Sequence, residues 1–413
     1  MTCIYCPSDG PYTEEHVVPA GMGGDDGKWL LKDVVCGVCN TDVFSPMETK
    51  VMRASPLAIA RLFKQTRSRK RGKRTAAPSI YAPVSYFDDP QSGLLLEQEL
   101  GSGGQSMVWP QVNYVPPERM TVSATDAASA NELIRDLGAL ADLLTLCEKL
   151  RDGVEVRYRL TFLRWDGVAY QPGEVDSAAA APRGAVWLEP LEYPNTETTG
   201  TLTARVFRRG RGAMTCRAED VEAVASLLTL IRQNHPKLVV PADATSISTD
   251  TPGIHLRQTM DPVAYDRVLV KIGVNVCAHL FGDAAVRTPA FASARDYARY
   301  GTGSVVQLSI EEAKKFTEAF PVLAHHHLLL VATKTPEGEK PGCVMITMQF
   351  YGGLTHSYLL AVGDVVPNAA DPIFVVVDYE ANVIERHTPE SLSRFAKRNG
   401  ATWRPIDLAG GSS

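Results

Sequence analysis

The chain has 413 residues, 45% of them hydrophobic and 22% charged, which is ordinary globular composition with room for two or three domains. The net charge of −5 does not by itself indicate a nucleic-acid partner, and no apolar run of about 18 residues predicts a membrane span. Eight cysteines are too few for a disulfide scaffold of this length, and no charged-then-apolar leader precedes the first of them, so we expect a cytoplasmic protein whose paired cysteines bind metal.

The N-terminal segment contains two C-x2-C pairs, Cys3 with Cys6 and Cys36 with Cys39. Two residues between cysteines allow both sulfurs of a tight turn to contact one ion at about 2.3 Å, and two such turns complete a tetrahedral site that suits zinc. A redox pair is the alternative, but two pairs in one short segment favour metal. We therefore predict one structural Zn²⁺ ion bound by all four cysteines.

The segment between the two pairs predicts a strand near residues 14–19, a glycine loop and a second strand at 29–35, and a helix follows Asn40. The motifs CIYC at 3–6, EHVVP at 15–19 and CGVCN at 36–40 resemble the HNH, or ββα-metal, endonucleases. The similarity is to the zinc-bearing branch that includes the phage junction-resolving endonuclease. It covers residues 1–52.

This resemblance implies that Glu15 and Asn40 hold a catalytic Mg²⁺ or Mn²⁺ ion and that His16 faces the scissile phosphate. An imidazole has a pKa near neutrality and serves as a general base, while carboxylate and amide oxygens suit hard divalent cations. The family often has an asparagine that fixes the histidine loop; Asp33 lies in that neighbourhood and lacks an amide donor. The alternative role for His16 is an additional zinc ligand or a hydrogen-bonded structural histidine, and for Glu48 the alternatives are a metal ligand or a solvated carboxylate.

A strongly basic connector follows the finger. Residues 53–74 carry nine Lys or Arg and no acidic residue. Such a tract binds phosphates electrostatically without reading bases, although a solvated linker is the alternative. The candidate phosphate-binding residues are Arg67, Arg69, Lys70, Arg71, Lys73 and Arg74.

The remaining chain predicts a mixed body of helices and antiparallel sheets. An apolar face predicts a helix over 127–150, and residues 154–170 predict a hairpin that turns at Asp166-Gly167. A buried helix is expected over 265–281, and His325, His326 and His327 are expected at the surface or at a strand edge. Four strands at hairpin spacing are predicted at 327–333, 343–351, 355–362 and 373–377.

The predicted fold class is therefore α+β, with a small zinc-stabilised ββα-metal finger and a large mixed α+β body. The predicted domains are the finger (1–52), the basic connector (53–78), an α+β domain (79–241) and a second α+β domain with an antiparallel sheet (242–413).

The functional expectation is a metal-dependent endonuclease that cuts DNA, with RNA left open, and whose body selects the target or controls activity. A defence or restriction role is an association of the family. A homodimer is expected if both strands are cut, and no membrane partner is expected. One alternative is a non-catalytic zinc-finger protein that binds nucleic acid; the other is a nuclease that stays silent until a small molecule or phage component binds the body.

Overall fold

The computed structural model describes residues 2–69, 75–115, 117, 119–152, 155–194, 197–198, 200–210, 212–240, 253–318, 320–401 and 403. Within these residues the α-helices are α1 Ser45–Val51, α2 Pro56–Lys64, α3 Ala127–Gly138, α4 Val221–Asn234, α5 Pro262–Phe281, α6 Asp283–Val286, α7 Ala292–Tyr300, α8 Ile310–Thr317 and α9 Pro389–Arg398. The strands are β1 Glu15–His16, β2 Leu30–Leu31, β3 Ser68–Arg69, β4 Thr75–Ala76, β5 Val84–Asp89, β6 Leu94–Leu100, β7 Ser106–Val108, β8 Gln111–Val115, β9 Arg119–Ser123, β10 Leu143–Asp152, β11 Glu155–Trp165, β12 Tyr170–Ala178, β13 Val186–Pro190, β14 Arg205–Arg208, β15 Met214–Ala218, β16 Gly253–Arg257, β17 Val306–Gln307, β18 His326–Lys334, β19 Gly342–Phe350, β20 Leu354–Gly363, β21 Ile373–Asp378 and β22 Val383–His387. The predicted α+β class with antiparallel sheets is confirmed.

The chain forms two compact units that do not follow its linear order. The terminal unit comprises residues 1–81, 101–104 and 258–413, and the central unit comprises residues 82–100 and 105–257. The cysteine-rich finger therefore belongs to the same unit as the C-terminal sheet. The predicted domain boundaries stay predictions.

The terminal unit is built on a six-stranded sheet in the order β17-β20-β19-β18-β21-β22, in which all neighbours are antiparallel. The four predicted strands do form an antiparallel sheet, but the predicted meander is wrong at its last strand, because β21 pairs with β18 rather than with its neighbour in sequence, β20. Alternate residues of β18 point to opposite faces, so Leu329 and Val331 share a core with helix α5 while Leu328 and Leu330 pack with helix α9. Helix α5 also contacts the finger, as described below.

The central unit contains an eight-stranded sheet in the order β12-β11-β10-β13-β15-β14-β8-β9 and a four-stranded sheet in the order β16-β5-β6-β7. Helices α3 and α4 contribute Leu133, Leu137, Leu227 and Leu228 to its largest apolar core. The predicted hairpin is confirmed, because β11 ends at Trp165 and β12 begins at Tyr170.

Two further predictions are wrong. The helix predicted over 127–150 ends at Gly138, and residues 143–152 form strand β10 between β11 and β13, where ladder hydrogen bonds replace helical ones. His327 is fully buried rather than exposed, among the rings of Phe350, Tyr351 and Tyr379. Burial lowers the pKa of His327 to about 3, so its ring is neutral.

In the part of the chain that the structure describes, no helix combines the length and the apolar character needed to cross a membrane.

Candidate metal centre and active site

A short hairpin and a helix bring the two cysteine pairs together. Strands β1 and β2 pair antiparallel with Glu15 opposite Leu31 and His16 opposite Leu30. A bridge between Tyr12 and Cys36 extends this pairing toward the second cysteine pair. The connecting loop requires glycine at residue 24, because a Cβ atom there would lie 2.4 Å from the Val18 carbonyl oxygen. A π-helical segment at Val38–Phe44 then leads directly into α1.

The four predicted cysteine ligands converge. Their Sγ atoms all lie within 4.8 Å of one another. The separation is 3.8 Å between Cys3 and Cys39, 3.6 Å between Cys6 and Cys36, and 3.5 Å between Cys6 and Cys39. Four sulfurs around one ion at about 2.3 Å would be separated by about 3.8 Å along each tetrahedral edge. The cluster is therefore close enough to hold a metal ion and fits the size of a thiolate site.

The electrostatics of the cluster also favour a cation. A hydrogen bond with Cys39 lowers the pKa of Cys3 to about 4, and the same contact raises the pKa of Cys39. One sulfur thus ionises readily and then opposes the ionisation of its neighbour. Four thiolates can coexist at these separations only if a cation offsets their repulsion.

Three arginines of the terminal unit contact the cluster from outside. Arg299 on α7 lies with Nε 3.0 Å from the Sγ atom of Cys39. Arg295 donates to the carbonyl oxygen of Ile4 at 3.1 Å, and Arg287 donates to that of Cys3 at 3.4 Å. Four thiolates and one divalent cation carry a net charge of −2, so the guanidinium groups offset the excess and orient the ligand-bearing turns.

The predicted general base has an acidic partner. His16 Nε2 and Asp26 Oδ1 are 2.7 Å apart, and their side chains are 30% and 41% exposed. A carboxylate on one ring nitrogen fixes the orientation of an imidazole and stabilises its protonated form. The pair is accessible from solvent, with His16 on β1 and Asp26 in the loop that connects β1 to β2.

Glu15 points into the protein instead. It is 3% exposed, and its carboxylate forms a salt bridge with the ammonium group of Lys271 on α5. The same ammonium group lies 2.5 Å from the carboxylate of Glu48. Although burial alone favours a neutral amine, Glu15 and Glu48 raise the pKa of Lys271, which is therefore a fixed cation. Glu48 is therefore paired with a lysine, and its side chain is 21% exposed.

A second residue of α5 completes this buried cluster. Asn275 Nδ2 donates to Glu15 Oε1 at 3.3 Å and to the His16 carbonyl oxygen at 3.1 Å. The hydroxyl of Tyr5 donates to Asn275 Oδ1 at 2.6 Å. Lys271 and Asn275 are one helical turn apart, so a single face of α5 holds the hairpin of the finger.

Asn40 and Asp33 lie outside that buried cluster. The Asn40 amide nitrogen donates to Thr13 Oγ1 and to the Glu14 carbonyl oxygen, both at 3.0 Å, and thereby braces the segment before β1. Asp33 is exposed in a turn with a φ of 59°. The acid that contacts His16 is Asp26, so the predicted role of Asp33 stays a prediction.

The basic connector is only partly within the described residues. Arg67 is exposed and Arg69 belongs to β3, whereas Lys70, Arg71, Lys73 and Arg74 lie outside them. The middle of the connector, at Gln65 and Thr66, is anchored to the turn between β21 and β22. The Thr66 hydroxyl donates to Glu380 Oε2 at 2.7 Å, and Gln65 donates to the Tyr379 carbonyl oxygen at 3.4 Å.

Sequence reasoning missed Asp26, Lys271, Asn275 and Arg299. Asp26 had a detectable signal in the sequence, because Asp25 and Asp26 are two consecutive acids at the glycine loop that follows the strand with His16. Lys271 and Asn275 had another, since a lysine and an asparagine four residues apart interrupt the otherwise apolar run of residues 268–278. Arg299 had none that distinguishes it from an exposed helix face.

Compared with known proteins, the chain matches no family model, and neither a curated protein nor a solved structure is significantly similar to it.

Proposed function

We propose that this chain is an endonuclease that hydrolyses phosphodiester bonds in DNA, with His16 as its general base. The observation that carries the proposal is the solvent-accessible pair of His16 and Asp26, 2.7 Å apart, on a hairpin tied to a four-cysteine cluster. The resemblance of the first 52 residues to the HNH endonucleases supports the same chemistry.

The role of His16 is to accept a proton from water while the water oxygen forms a bond to phosphorus. The bond between phosphorus and the leaving oxygen then breaks, and the leaving alkoxide takes a proton from solvent. Asp26 stabilises the imidazolium that forms on His16. Cys3, Cys6, Cys36 and Cys39 would hold a Zn²⁺ ion, which would fix the hairpin that carries His16.

The arrangement of Glu15 and Asn40 does not fit the predicted catalytic cation. Glu15 accepts from Lys271 and Asn275, and Asn40 directs its amide nitrogen to the Glu14 backbone. The proposed reaction therefore has no step that passes through Mg²⁺ or Mn²⁺. Dependence of cleavage on either ion would require Glu15 to exchange Lys271 for the metal.

That same observation favours a second candidate function. An ammonium group that permanently neutralises Glu15 leaves a finger that is stable without a divalent cation at this position. Such a finger can bind nucleic acid without cutting it. The second candidate is therefore a non-catalytic nucleic-acid-binding protein.

The first prediction concerns His16. Nicking of supercoiled plasmid in Mg²⁺ or Mn²⁺ is expected for the wild type and is expected to fall by about 100-fold or more in His16→Ala, because a general base contributes about 10²–10⁴. Asp26→Asn is expected to lose less. Gel quantification of nicked circles over time measures both.

The matched control is Glu14→Gln, whose side chain is 63% exposed and pairs with Lys32 rather than His16. It should cut at the wild-type rate. If the wild type does not nick the plasmid in Mg²⁺ or in Mn²⁺ but still retards its migration in a gel, the second candidate is correct. If it neither cuts nor binds, both proposals fail.

A further inference from the structure

A basic pocket lies between the end of β22 and helix α9. It is an open surface depression of about 660 Å³ and is lined by His387, Ser391, Arg394, Lys397 and Arg398. This volume lies within the range of small-molecule sites. We infer that this pocket binds phosphate groups, supplied either by a free nucleotide or by a nucleic-acid backbone.

The local fold presents these side chains on one face. Thr388 caps α9, since the Ser391 amide donates to its hydroxyl at 3.3 Å and the Thr388 amide donates to Ser391 Oγ at 2.9 Å. Leu392 and Ala396 bury the inner face of the helix. Ser391, Arg394 and Arg398 recur at spacings of three and four residues, which aligns them along the helix.

The charges of this face are not neutralised by the protein. Among the described residues, no carboxylate forms an ion pair with Arg394, Lys397 or Arg398. Two acids lie close in sequence: Glu385, whose carboxylate is 3.4 Å from His387 Nε2, and Glu390 in the first turn of α9. Like charges three and four residues apart on a helix are destabilising, so three unpaired cations here cost stability unless an anion binds.

Neutral hydrogen-bonding groups complete the pocket. His387 is 8% exposed, and its Nδ1 lies 3.3 Å from Ser391 Oγ. Burial lowers the pKa of His387, so at pH 7 its ring is uncharged. Two guanidinium groups, an ammonium group and a hydroxyl suit a ligand with several charged oxygens. A phosphate group has several charged oxygens that can accept from all of these donors, whereas both oxygens of a single carboxylate can be paired by one arginine.

The basic connector contacts the same hairpin through Thr66. Thr66 is bonded to Glu380 in the turn that precedes β22, and β22 ends at His387 in the pocket. The exposed Arg67 and the cations of α9 are therefore associated with opposite ends of one five-residue strand of the terminal unit. A nucleic-acid backbone is long enough to contact both, which makes it one source of the phosphate to test.

The test uses the full-length protein and three probes, namely pyrophosphate, ADP and a short DNA duplex. Calorimetry measures the first two and fluorescence anisotropy at low and high salt measures the third. The double variant Arg394→Gln/Arg398→Gln is expected to lose about tenfold or more in affinity for the probe that binds, because it removes two charge-assisted contacts.

The control variant is Lys334→Gln/Lys340→Gln, which removes two exposed positive charges elsewhere in the terminal unit and should bind within about twofold of the wild type. Circular dichroism and thermal unfolding verify that both variants fold. Binding of ADP but not of the duplex identifies a nucleotide site. Binding of the duplex that pyrophosphate competes away identifies a backbone site.

The inference is overturned if the wild type binds none of the probes, or if the double variant binds as tightly as its control. It is independent of the proposed hydrolysis, because plasmid nicking depends on His16 and phosphate affinity depends on α9. Loss of nicking in His16→Ala with unchanged probe affinity would separate the two.

Discussion

At the residue scale, Lys271 determines what Glu15 can do. A lysine that is 1% exposed is stable only with paired charge, and here two carboxylates share its ammonium group. Sequence reasoning assigned Glu15 to a metal because its position beside His16 matches a known motif. The structure shows that its carboxylate binds a cation of the protein itself.

We expect Lys271→Met to destabilise the terminal unit by about 3–5 kcal/mol, because two acidic side chains would lose their buried counter-charge. The exposed Lys50, which pairs with Asp261 at 2.7 Å, provides the matched control. Lys50→Met should cost less than about 1 kcal/mol. Urea unfolding monitored by fluorescence measures both, and equal effects would contradict the account.

The pH dependence of this effect has a definite sign. Burial raises the pKa of Glu15 above its ordinary value, although Lys271 opposes the shift. Because the pKa of Glu15 is higher in the folded than in the unfolded state, its protonation stabilises the folded protein fully below the ordinary pKa of about 4.5. This contribution to the free energy of unfolding is lost as the pH rises through the pKa of the folded state. Without Lys271 the shift grows. The stability deficit of Lys271→Met should therefore be larger at pH 8 than at pH 5.

At the element scale, strand β10 shows how tertiary pairing overrides a helical pattern. Leu133, Ile134 and Leu137 form a helical face, and Leu144 and Cys147 continue its spacing beyond Gly138. The residues after Gly138 are also compatible with the alternating burial of a β-strand. Hydrogen bonding to β11 on one side and to β13 on the other favours the strand over the helix.

Leu146 distinguishes the two interpretations. Leu146 lies off the predicted helical face, so a helix would leave its side chain exposed. In β10 its side chain is only 1% exposed, whereas that of Leu143 is 54% exposed. We expect Leu146→Ala to destabilise the central unit by about 2–5 kcal/mol and Leu143→Ala by less than about 1 kcal/mol. Denaturant unfolding measures the difference, and similar small losses in both variants would argue against the strand.

At the scale of the whole molecule, each compact unit has its own apolar core. The terminal unit joins the finger, α5 and the C-terminal sheet in one cluster, and the central unit has a separate cluster around α3 and α4. The finger is thus part of a larger core rather than an independent module. Loss of its metal ion should affect the whole terminal unit.

We expect calorimetry to show two unfolding transitions, of which a strong chelator with a reducing agent lowers only one, by about 10 °C or more. Cys36→Ser should lower the same transition. Cys216→Ser, in the buried core of the central unit, should lower the other. A single transition that shifts as a whole, or no response to the chelator, would refute this division.

The sequence alone determined the features that short-range spacing encodes. Cys3 and Cys6, like Cys36 and Cys39, face one centre because two intervening residues allow only a tight turn, and the hairpins from β18 to β20 follow from strand length and hairpin spacing. Only the tertiary structure decided that Glu15 meets Lys271, that Asp26 meets His16 and that residues 143–152 form a strand. The physical reason is that a buried charge, an ion pair or a central strand is stabilised by partners distant in the chain, and local pattern does not specify those partners.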